Sequence, residues 1–173
     1  FRYVARHVEI RAVLLLLAVV SLVGMPYMVL LPIFAQKILH GGPHTLGALT
    51  AASGLGAIGG ALWLASRKDV VGIRRVIVLG GVTFGVGLVA LGLSRFVWAS
   101  MVIMIATGAG MMVQMAASNT LIQTRVEEDK RGRVMSFYTM AFFGMAPFGS
   151  LASGVLAHAI GAPATVIAGG VAT

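Results

Sequence analysis

The chain contains no cysteine. Disulfides, thiolate metal sites and a cysteine nucleophile are therefore excluded. Charge is scarce too: Asp, Glu, Lys and Arg make up 10% of 173 residues, and only five are acidic. With 58% hydrophobic residues and a mean hydropathy of +0.96, the chain has too few polar side chains to cover a water-soluble globule, and it belongs in a bilayer. Its long apolar stretches hold no Asp, Glu, Lys or Arg, so they supply no intramembrane carboxylate of the kind a proton relay uses. Catalytic constellations are missing as well. His40 and His44 flank Gly41-Gly42-Pro43, which prevents the helix that would put both imidazoles on one face, and no carboxylate lies near to complete a metal site. Gly54-x-Gly56-x-x-Gly59 fits a dinucleotide fingerprint by letter, but no strand precedes it and no acidic residue follows where a ribose contact needs one. No enzyme, metal site or cofactor is expected.

What the chain does have is a series of apolar stretches at 12–36, 45–66, 76–94, 97–124 and 134–173. Roughly 20 residues cross a bilayer core, so each of the first four supplies one helix. The last is too long for one. Gly161-Ala162-Pro163 breaks it into a fifth span at 134–157 and a truncated sixth at 164–173. The predicted fold is an all-α, polytopic membrane helix bundle of about six helices. Ahead of it, Phe1, Val4, Ala5 and Val8 share one helical face and Arg2, Arg6 and Glu9 another, the pattern of an interfacial helix over residues 1–11 leading into 12–173.

Orientation follows from the 13 Lys and Arg residues. Eleven of them (Arg2, Arg6, Arg11, Arg67, Lys68, Arg74, Arg75, Arg125, Lys130, Arg131 and Arg133) fall on one side, and Lys37 and Arg95 on the other. The positive-inside rule puts the larger group, and the first residue, in the cytoplasm of a cell membrane, plasma or inner. A net charge of +8 then marks anionic lipid headgroups as the partner, not nucleic acid. Trp63 and Trp98 read as interfacial anchors near opposite faces.

Inside the spans, small residues four apart at Gly56/Gly60, Gly81/Gly85 and Ser150/Gly154 let helix backbones approach closely. The fourth span concentrates uncharged polarity: Thr107, Met111, Gln114, Met115 and Ser118 fall within an arc of about 100°, with Asn119 at its edge. Two readings stay open. The arc either makes interhelical hydrogen bonds or forms a cavity wall, with adaptable Met side chains beside a few orienting polar groups. At one end of that span Glu127, Glu128 and Asp129 interleave with Arg125, Lys130, Arg131 and Arg133, which predicts a cytoplasmic ion-pair loop.

The stretch Ala65 to Arg75, A-S-R-K-D-V-V-G-I-R-R, is a charged knot between two Gly-rich apolar runs. Asp69 breaks the helix, Gly72 can take positive φ, and Arg74 and Arg75 open the next helix within reach of lipid phosphates. Its spacing resembles the loop signature of the major facilitator superfamily, G-x-x-x-D-[RK]-x-G-x-[RK]-[RK]. Ala65 replaces the family glycine and Val70 the basic residue. A second run, Ser118 to Ser150, is similar to the region around the tenth and eleventh helices of the enterobactin-exporter-like branch, the transmembrane secretion effectors.

The resemblance implies one half of a twelve-helix fold working by alternating access, with 12–173 as the C-terminal six-helix half and the N-terminal half as its missing partner. It places Tyr27, Gln114, Asn119 and Phe142 near a central cavity and gives Ala65, Asp69, Gly72, Arg74 and Arg75 a conformational role. The expected function is export of a small amphiphilic molecule, siderophore-like or drug-like, in exchange for protons. A membrane structural protein without cargo is the alternative. An ABC-type subunit fits less well, because loops of about nine residues leave nothing for an ATPase to grip.

Overall fold

The computed structural model describes residues 4, 7–67 and 72–173. Among them there is no strand. We label the helices α1 (Val8–Ile38), α2 (Pro43–Ala65), α3 (Ile73–Leu93), α4 (Val97–Arg125), α5 (Glu128–Ile160) and α6 (Ala162–Ala172). The first five are long and apolar enough to cross a membrane and the sixth is shorter. The chain is thus an all-α membrane bundle.

The breaks between helices have local causes. Pro43 fits the first turn of α2, where its missing N–H is no loss, and extended Gly42 precedes it. His40 turns the chain there at φ 50. Gly72 caps the start of α3 at φ 77, in the left-handed region that costs glycine nothing. Gly161, at φ 87, separates α5 from α6, with Pro163 in the opening turn of α6.

Two boundaries differ from the sequence expectation. Of the interfacial helix expected at residues 1–11, residues 1–3, 5 and 6 lie outside the described residues, and Val8 to Arg11 form the first turn of α1 itself. Residues 125–133 are not an extended loop either. Only Val126 and Glu127 separate α4 from α5, because Glu128 and Asp129 in the first turn suit the positive end of the helix dipole.

α1 is the irregular member. It passes through π-helical turns at Val20–Gly24 and Phe34–Ile38, with Pro26 and Pro32 near them. Proline removes a backbone donor, so Pro26 frees the carbonyl of Leu22. That carbonyl faces Gly149 of α5, where a Cβ would collide with it. Nearby, the fully buried Ser21 hydroxyl donates to the carbonyl of Phe142. The Ser150/Gly154 pair predicted for packing points elsewhere, with open space around Gly154. Gly149 and the buried Ser153 occupy the packed face instead.

α4 is the central helix, laid against α2 on one side and α3 on the other. Close approach explains the glycines. A Cβ on Gly56 would strike the Ile105 carbonyl, and one on Gly108 would strike that of Ser53. Such contact replaces the hydrophobic drive that lipid cannot supply. The Gly81/Gly85 pair is split between neighbours: Gly81 lies toward Gln114 of α4 and Gly85 against Gly170 of α6.

Candidate functional site: a methionine-lined cavity

Between α1, α2 and α4 lies a cavity of about 500 Å³. That is within the range of small-molecule sites. Tyr27 and Met28 come from α1, Thr50 and Ser53 from α2, and Met104, Met111, Met112 and Met115 from α4. Half of the chain's 10 methionines thus line one space. Among the described residues that line it, none is Asp, Glu, Lys, Arg or His.

The polar groups of the wall are hydroxyls. Thr50 donates to the Leu46 carbonyl of its own helix, 2.9 Å away, which leaves only its lone pairs for a guest. Tyr27 is 3% exposed and its ring meets Phe84 edge-on at 5.9 Å. Its hydroxyl comes near Ser53 without making a well-formed hydrogen bond and has no partner. Such a buried, unpaired hydroxyl costs free energy unless a ligand or water satisfies it.

The structure divides the residues predicted for this site. Tyr27, Met111 and Met115 are on the wall. Gln114 is not: it is 1% exposed, and its carboxamide lies about 3.7 Å from where a Cβ of Gly81 would stand, on the α3 side. Thr107, fully buried, turns the same way toward Gly87 and donates to Ile103 of its own helix. Ser118 is enclosed, with its hydroxyl unpartnered. Asn119 is half-buried and accepts from Gln123 one turn on. Phe142 is buried among residues of α1, α4 and α5, edge-on to Phe143 at 5.2 Å.

The division follows from helical rotation. At 100° per residue Met104, Met111 and Met115 lie within about 40° of one another, while Thr107 and Gln114 share a line roughly 70° away. The predicted arc joins two faces that meet different neighbours. Met104 is legible by the same arithmetic, seven residues before Met111. Ser53 and Thr50 are not, because α2 is so rich in Gly and Ala that no face of it stands out.

At the end where most basic residues gather, Arg74 of α3 pairs with Glu9 of α1. A cation in the first turn of a helix opposes the dipole, and the carboxylate offsets it. The sequence does not mark this partner, because Glu9 reads there as part of the polar face of an interfacial helix. Ala65 ends α2 and Arg75 stands beside Arg74 in the first turn of α3. Asp69 lies outside the described residues.

In the acidic–basic cluster Glu127 pairs with Lys130, which also stands 3.8 Å from Asp129. The hydrogen bond from Lys130 and its charge hold the Glu127 carboxyl below the ordinary carboxylate range. Arg131 and Arg133 sit in the first turns of α5 and join neither pair, and Arg131 Nε is enclosed without a partner. Among the described residues no group of three or more His, Asp or Glu is placed to hold a metal. Trp63 and Trp98 are 49% and 80% exposed, and the Arg67 guanidinium lies 4.9 Å from the Trp63 ring centre, as snorkelling side chains do at a membrane boundary.

Compared with known proteins, the chain matches the sequence model of a family described as transmembrane secretion effector over residues 1–173. No curated protein and no solved structure matches.

Proposed function

Since this chain belongs to the transmembrane secretion effector family of the major facilitator superfamily, a family of transporters and not of enzymes, we propose that it is the C-terminal half of a twelve-helix exporter. In this reading a small amphiphilic molecule binds in the cavity walled by α1, α2 and α4 and leaves on the outer side in exchange for protons. The N-terminal half closes the remaining wall, and alternate opening of the two ends moves the cargo. The basic ends of the helices face the cytoplasm of the cell membrane. The observation that carries the proposal is the cavity itself, an uncharged, methionine-lined space beside the most irregular helix of the bundle. Helices that bend at π-turns and proline have weakened ladders there, and such places recur at functional sites.

The test uses the full-length protein, reconstituted in liposomes with an amphiphilic fluorescent dye. An imposed pH gradient drives dye across the membrane, and a protonophore stops it. Dye that never moves would favour a structural protein without cargo. Orientation is read separately in cells. A single cysteine at Pro43 reacts with a membrane-impermeant maleimide and one at Lys130 does not, whereas the reverse pattern would overturn the topology.

A further inference from the structure

The walls of the cavity restrict its cargo. We infer that this site selects an uncharged aromatic molecule, held between methionine sulfurs and hydrogen-bonded to Tyr27 Oη, an assignment that rests on the transport function proposed for the same cavity.

The wall excludes charge. Among the described residues that line it, none offers a carboxylate to a cation or a guanidinium, ammonium or imidazole to an anion. A charged guest would leave water for an apolar space without a counter-charge from this half, which is strongly unfavourable. A neutral guest loses far less.

Methionine then distinguishes among neutral guests. Met104, Met111 and Met115 present their side chains from one face of α4, and Met28 lies across from them on α1. Thioether sulfur is polarisable and makes favourable contacts with aromatic rings, often at the ring edge and about 5 Å from the ring, which saturated rings do not offer. A wall built for aliphatic cargo alone gains nothing from sulfur over leucine. Met side chains also have three rotatable bonds, so such a wall adapts to rings of different outline.

Tyr27 supplies the orienting contact. Tyr27 lines the cavity and its hydroxyl is enclosed and unpartnered, so a cargo whose hydroxyl or carbonyl seats against Tyr27 completes it. Few hydrogen bonds carry orientation in such sites, and one satisfied buried hydroxyl discriminates against analogues that leave it unpaired.

The experiment measures binding of radiolabelled 2-naphthol to the full-length protein in nanodiscs at neutral pH, with naphthalene, decahydro-2-naphthol and tetraphenylphosphonium as competitors. We expect 2-naphthol to bind best and tetraphenylphosphonium at least tenfold more weakly. Tyr27→Phe weakens 2-naphthol about fivefold relative to naphthalene, the loss of one neutral hydrogen bond. The double variant Met111→Leu, Met115→Leu, close to isosteric, erases the preference for 2-naphthol over its saturated analogue. Equal competition by tetraphenylphosphonium overturns the inference, as does a double variant that keeps the aromatic preference. A failure of this kind in protein that still moves dye under a pH gradient rejects the cargo class alone, whereas absent dye movement rejects the transport function beneath it.

Discussion

The two long sides of α4 are built on opposite terms. Toward α3 the helix presents Thr107, Gly110 and Gln114 to Gly80, Gly81 and Gly87, and the two backbones come so close that a Cβ on Gly80 would stand 2.7 Å from the Gln114 nitrogen. Toward α1 it presents Met104, Met111 and Met115 to a cavity of about 500 Å³. In water both sides would be driven shut by the hydrophobic effect. In lipid, tails are as apolar as methionine, so only close packing and polar contact hold helices together. Where bulky methionines stand on the face, it can therefore stay apart from its neighbour. The closed and open sides of this bundle differ in side-chain size more than in polarity.

The largest effect is expected from bulk placed where the backbones touch. Gly108 lies against Ser53 with no room for a Cβ, and Gly108→Leu forces α2 away from α4. We expect a loss of about 3 kcal/mol, at the upper end of overpacking costs, because the obstructing atoms are backbone and cannot turn aside. Thermal unfolding of the full-length protein in detergent measures it. A variant as stable as the wild type would mean that the α2–α4 contact is looser than described.

A second test separates the sides by function. Gln114 buries a carboxamide whose Nε2 has no partner, so Gln114→Leu removes an unsatisfied donor and stabilises the protein by about 1 kcal/mol, with export unaltered. Met111→Leu, on the cavity side, changes the order in which compounds are exported and keeps stability within about 1.5 kcal/mol. Dye-efflux competition and unfolding midpoints on the two variants decide between them. If Gln114→Leu alters the export profile and Met111→Leu does not, the functional assignment of the two sides is inverted.

How much of this is legible in the sequence depends on the length of the signal. The spans are, because each apolar run is long and uninterrupted by charge, and the helices found at Pro43–Ala65, Ile73–Leu93 and Val97–Arg125 lie within a few residues of the stretches drawn from composition. The interruption of α1 is not. Its π-turns leave no mark in a run such as Val19–Ser21, and the first of them is tied to Phe142 and Gly149 of α5, which stand far along the sequence. The site is half legible. Periodicity places Met111, Met115 and Gln114 near one another, but the sides of a 100° arc meet different helices, and only the neighbours decide which side is packed shut. The resemblance places Phe142 near a central cavity, and in this bundle it is buried, with its carbonyl accepting from the Ser21 hydroxyl.

The smallest effect belongs to the thread that ties α5 to α4 beside the cavity. Tyr138 Oη donates to the Met115 carbonyl at 3.1 Å, and α5 otherwise leans mainly on α1. That carbonyl belongs to the middle of a regular helix, so it already accepts the amide four residues on, and the tyrosine adds a second bond to an acceptor that is satisfied without it. Removing the hydroxyl therefore leaves that carbonyl satisfied. Interhelical hydrogen bonds in membranes average about 0.6 kcal/mol, and Tyr138→Phe costs that much or less. Gln114 is the opposite case. Both substitutions delete one polar group from the surroundings of α4, but one deletes a donor that nothing uses and the other a donor in use, so the two shifts in unfolding midpoint have opposite signs. Shifts of the same sign would show that the carboxamide of Gln114 is satisfied by a group other than those that surround it here.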